Sequence, residues 1–74
     1  MFGISRETVE RLRRDYPAGC RVELLEMDDP QAPPIGTLGT VVGVDDIGSI
    51  MVAWDNGSGL SVVYGMDRCR RIDE

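Results

Sequence analysis

The chain contains no histidine and no lysine. Without His it lacks the commonest general base and the usual activator of a Ser or Cys nucleophile. The two cysteines, Cys20 and Cys69, are too few for a disulfide scaffold. No CxxC is present, and two thiolates without His do not fill a tetrahedral zinc shell. Each Cys stands where a strand is expected to begin and reads as a small buried hydrophobe. Four aromatics, Phe2, Tyr16, Trp54 and Tyr64, are too few for the several-ring groove that grips a polyproline helix. Trp54 reads as core. No 18-residue apolar run exists, so no transmembrane helix is expected. The stretch from Met1 to Asp15 is charged and has no apolar centre, so no signal peptide is expected and the location reads as cytoplasmic.

All eight basic residues are Arg, and they are unevenly placed. Residues 1–21 hold five Arg against three acids; residues 22–67 hold eight acids and no base; residues 68–74 hold three Arg and two acids. The formal net charge is −5. A body of this sign repels phosphate at long range, which disfavours a broad nucleic-acid surface. Seventy-four residues make one domain. A chain of this size buries about 60% of its unfolded surface. Its single core should leave a net stability of roughly 3–5 kcal/mol. Little room is expected for a pocket of several hundred Å³.

The run Gly36 to Gly57, GTLGTVVGVDDIGSIMVAWDNG, predicts two strands, 38–44 and 49–54, joined by the turn Asp45-Asp46-Ile47-Gly48. Asn56-Gly57 predicts a further hairpin turn. Strands are also expected at 20–26, 60–64 and 69–72. Residues 28–36, with three prolines, predict a stiff loop over the body. The step from Val41 to Val44 breaks the period of two and predicts a bulge at Gly43. The expected inward set is Val22, Leu24, Val41, Val44, Ile50, Val52, Trp54, Leu60, Val62, Met66, Cys69 and Ile72. A helix is expected over 5–15: Ser5 caps it, Ile4 and Val9 form a staple, and Val9, Leu12 and Tyr16 make its apolar stripe. Pro17 stops it. The fold class is thus mainly β: a small five-stranded SH3-like barrel (19–74) behind a short N-terminal helix and connector (1–18).

Two sets of residues are candidates for contact with a partner. Asp28, Asp29, Asp45, Asp46 and Asp55 could meet a basic protein, although Asp before Gly or Pro is equally a turn former. The D-x-D-x-D-G spacing of a calcium loop is absent, so no metal is expected. Arg13, Arg14, Arg68, Arg70 and Arg71 could bind phosphate, although pairing with the central acids is the simpler use. Paired carboxylates alone do not make an enzyme, and no cofactor pattern is present.

The segments YPAGCRVEL (16–24), MDDP (27–30), PP (33–34), GTLGTV (36–41), VDDIG (44–48) and VAWDNG (52–57) together resemble domain-of-unknown-function family 4314. The likeness runs from about Tyr16 to Ile72. It implies a small SH3-like module of bacteria, archaea and phages with no established activity and no catalytic residue. Gly36 to Val41 is more weakly similar to the strand opening of KOW modules, which are typically basic on their binding face; this chain has no base from Val22 to Asp67. The expected function is a small non-catalytic protein-binding or adaptor module, with nucleic-acid binding through the Arg set as the alternative. A homodimer is a further option, since small domains gain stability by oligomerising.

Overall fold

Ser5 starts the helix as its sequence position implies. In the computed structural model, which describes residues 4–72, its backbone is extended and its Oγ accepts the Thr8 N–H at 3.1 Å. Helix α1 (Arg6–Asp15) follows and ends where the Tyr16 N–H donates to the Leu12 carbonyl, one residue before Pro17. An isolated helix of this length would be marginal in water. Val9 and Leu12 are buried in the common core, with Ile4 and Tyr16 packed against it. Ile4 also fills the space above Gly48, where an added Cβ would come within 2.6 Å of its Cδ1. Phe2 lies outside the described residues.

Five strands follow: β1 (Arg21–Glu26), β2 (Leu38–Val44), β3 (Ser49–Trp54), β4 (Val62–Val63) and β5 (Arg68–Ile72). They form one antiparallel sheet in the order β4-β3-β2-β1-β5. The fold is therefore mainly β, with one short helix. The sheet does not close: β4 and β5 are its two edges and are not paired with each other. The expected barrel is thus an open, curled sheet with a seam.

Two bulges help curl it. Val41 faces Val52 and Gly43 faces Met51, so the extra residue is Val42, next to the expected Gly43. A second bulge lies in β1, where Leu24 faces Cys69 and Glu26 faces Arg68, leaving Leu25 extra. Such insertions bend a strand and increase its twist. Gly39 is needed for close packing: a Cβ there would meet Val52 Cγ1 at 2.6 Å and Trp54 Cε3 at 2.7 Å.

The core is Val9, Leu12, Val22, Leu24, Val41, Val44, Ile50, Val52, Trp54 and Val62. Trp54 sits in it with its Nε1 donating to the Leu60 carbonyl at 2.8 Å. Three expectations need correction. Met66 is 76% exposed rather than inward. Leu60, Cys69 and Ile72 are half-buried. The fourth strand shrinks from 60–64 to two residues, because Asn56-Gly57 turns the chain but pairing with β3 resumes only at Val62. The proline loop does lie on the body, with Pro33 buried.

Candidate ligand grooves at the seam of the sheet

The two edges at the seam are finished by polar contacts of their own. At β4 the Val63 N–H donates to Asp67 Oδ2 at 3.0 Å, and the Val63 carbonyl accepts from the Met66 and Asp67 N–H groups. At β5 the Tyr16 hydroxyl reaches the Cys69 carbonyl at 3.5 Å, and Arg71 Nη1 donates to the Asp15 carbonyl at 3.2 Å. These contacts occupy the Val63 N–H and carbonyl at β4 and the Cys69 carbonyl at β5, and Arg71 ties the β5 edge to the end of α1. The seam also offers side-chain space.

That space is two grooves on either side of the β4–β5 turn. The first, about 380 Å³, runs between α1 and the turn. Its floor is core: Leu12, Ile50 and Val62. Its rim carries Tyr16, Tyr64 and Met66. The second, about 360 Å³, lies between the turn and the proline loop. Met27, Leu60, Val63 and Met66 line it together with Asp28, Asp29 and Asp67. Met66 and Asp67 belong to both, so the turn is a ridge between them. The ridge exposes large apolar surface: Val63 is 38%, Tyr64 52% and Met66 76% accessible. Pockets of this size exceed the little room expected from chain length. The open seam explains the difference, because a groove between unpaired edges takes no volume from the core.

The eight acids of residues 22–67 fall into three groups. Four face an Arg: Asp46 meets Arg13 (2.7 Å), Asp55 meets Arg21 (2.6 Å), Glu23 meets Arg70 (2.6 Å) and Glu26 stands more loosely beside Arg68 (4.0 Å). Arg13 also donates through Nε to the Val44 carbonyl, tying α1 to the β2–β3 turn. Asp45 serves that turn, its Oδ1 accepting the N–H groups of Ile47 and Ser49. Asp28, Asp29 and Asp67 form no ion pair among the described residues, although Asp29 Oδ1 accepts the Gln31 N–H at 2.7 Å.

The five candidate aspartates are therefore not one site. Asp28 and Asp29 line the second groove, whereas Asp45 and Asp46 lie at the β2–β3 turn and Asp55 follows β3. The Arg candidates are also dispersed. Arg13, Arg68 and Arg70 face carboxylates and Arg71 a helix-end carbonyl, while Arg14 makes no ion pair among the described residues. Sequence reasoning missed the ridge. Its signal was present, since Met66 stands between Gly65 and Asp67 in a turn, with no strand neighbour to bury it.

Arg21 holds Asp55 in a two-point grip, Nη1 to Oδ1 at 2.9 Å and Nη2 to Oδ2 at 2.6 Å. The hydrogen bonds lower the Asp55 carboxyl below its ordinary value of 3.8. Beside the first groove, burial pushes the Cys69 thiol up to about 11, with Cys20 adding to the effect and a Tyr16 hydrogen bond opposing it. Burial likewise raises Tyr16, with Cys69, Asp15 and Cys20 contributing. A thiol at that value is protonated at neutral pH and is a poor nucleophile. Neither Cys20 nor Cys69 forms a disulfide among the described residues. Among the described residues no group of three or more Cys, Asp or Glu could hold a metal ion, and no helix is long and apolar enough to cross a membrane.

A family model described as "Domain of unknown function (DUF4314)" matches residues 5–72, nearly the whole chain. No curated protein and no solved structure matches it. The match begins at Ser5 and so takes in α1, which lies outside the strongest segments of the resemblance drawn from sequence.

Proposed function

The chain belongs to the DUF4314 family, and we propose that it acts as a small non-catalytic protein-binding module whose contact face is the β4–β5 ridge with its two grooves. The observation that carries this reading is the exposed row Val63, Tyr64 and Met66, standing between grooves that reach the core. Aromatic and Met side chains are enriched where proteins dock, and an apolar centre with a polar rim is the usual anatomy of an interface. The protonated Cys69 and the absence of His support a binding role over a catalytic one. The ion pairs of Arg13, Arg68 and Arg70 favour a protein partner over nucleic acid, because those guanidinium groups already face carboxylates. In the same reading the five strands are an SH3-like arrangement with its seam left for a ligand. A cytoplasmic, mobile-element setting goes with the family resemblance.

The test is capture of partners from the native host by the purified protein and by a Tyr64→Ser/Met66→Ser variant. Both side chains are exposed, so the fold should survive. A specific partner lost at least about tenfold in the variant, equivalent to about 1.4 kcal/mol, is the expected result. A partner retained by the variant, or a salt-sensitive shift of nucleic acid by the wild type, would overturn the reading.

A further inference from the structure

We infer that the two grooves take a single peptide segment in which an apolar side chain is followed closely by an arginine or lysine. The inference rests on the protein-binding reading above and names its ligand. The grooves share Met66 and Asp67, so one ligand can cross the ridge and enter both. They differ in chemistry. The first has a floor of Leu12, Ile50 and Val62 and a rim of tyrosines, with Glu26 and Arg68 facing each other at its edge, and its apolar floor suits an aliphatic or aromatic side chain. The second combines Met27, Leu60, Val63 and Met66 with three carboxylates, and no cation lines it.

Charge complementarity identifies the occupant of the second groove. Of the eight acids between residues 22 and 67, four face an Arg of the same fold and Asp45 closes a turn. The remaining three are Asp28, Asp29 and Asp67, and they all line this groove. Two of them each use one oxygen on a backbone N–H, Asp29 on Gln31 and Asp67 on Val63, which fixes their orientation and leaves the other oxygen for a ligand. An Arg or Lys lays its methylene stem on apolar surface and carries its charge to the rim. Met27, Leu60, Val63 and Met66 provide that surface, and the aspartates receive the charge. An acidic ligand is repelled by the same three groups.

The experiment is an amide-shift NMR titration of the full chain with a short synthetic peptide of alternating Leu and Arg. Two control peptides carry Glu for Arg and Ser for Leu. The expected result is saturable shifts at residues 27–29 and 60–68, with affinity weaker than about 1 µM for so small a ligand. Each control peptide, and the variant Asp28→Asn/Asp29→Asn, should bind about tenfold or more weakly, and added salt should weaken the Arg peptide. The Asn side chains keep the turn hydrogen bond to Gln31, so an unchanged spectrum elsewhere verifies the fold. No saturable shift up to about 1 mM, shifts confined to α1 or the β2–β3 turn, or equal binding of the Glu peptide overturns the inference. Binding lost in Tyr64→Ser/Met66→Ser but unchanged in Asp28→Asn/Asp29→Asn removes the cationic ligand while leaving the protein-binding face. Binding unaffected by either variant removes both.

Discussion

Asp55 shows at the scale of one residue how turn acids and strand arginines are matched. Its carboxylate accepts from both terminal nitrogens of Arg21, and Arg21 also donates to Thr40 Oγ1 at 2.9 Å, so the guanidinium links β1, β2 and the end of β3. The folded carboxyl lies below its ordinary value. Stability from the pair is therefore fully present above about 3.8 and is lost as pH falls through the lowered folded value. Urea midpoints of wild type and Asp55→Asn should accordingly differ most near neutral pH and converge as the pH falls below 3.8. A gap that stays constant down the acid limb would contradict the assignment. From the sequence, Asp55 is only an acid before Asn-Gly. Its partner is 34 residues away and becomes visible once β1 and β3 flank β2.

At the scale of elements, α1 belongs to the body of the fold. Val9 and Leu12 are among the ten buried hydrophobic residues of the described chain, and Arg13 fastens the same helix to the Val44 carbonyl and Asp46. Leu12→Ala should cost about 2–5 kcal/mol, the usual cost of such a truncation in a core. For a domain of roughly 3–5 kcal/mol that is most of its stability. Chemical denaturation followed by circular dichroism checks it, and an unchanged midpoint would mean that the helix is only loosely attached. The helix, the centres of β1, β2, β3 and β5 and the turn at 45–48 were legible because local signals fix them: a Ser cap, alternation, flanking turns and Asp-Gly chemistry. The fourth strand was less so. Val62 and Val63 pair because the chain returns beside the start of β3, with Trp54 holding the Leu60 carbonyl on the way, and no local pattern encodes that. The two bulges show the same division. A period break betrayed the one at Val42, whereas in β1 the bulge at Leu25 follows from the register against β5.

For the whole molecule, the sequence separates charge along the chain and the fold brings it back together. Arginines from both termini return to the acids of the central strands, so four of the eight acids in residues 22–67 face an Arg. Of the four that do not, Asp45 closes the β2–β3 turn and the other three stand together beside the exposed ridge and the open seam. Composition could show that acids were in excess. Which acids would face an Arg depended on strand order. Met66 illustrates the limit: read as inward by its apolar character, it stands 76% exposed on a turn that joins the two unpaired edges. The central claim is that this ridge is where a protein partner docks. Its most direct test is photo-crosslinking in the native host, with a photoreactive amino acid replacing Tyr64 in one variant and the exposed Arg11 of α1 in another. The ridge position should give a discrete protein adduct that the helix position does not. Adducts only from the helix position, or adducts to nucleic acid from either, would contradict it.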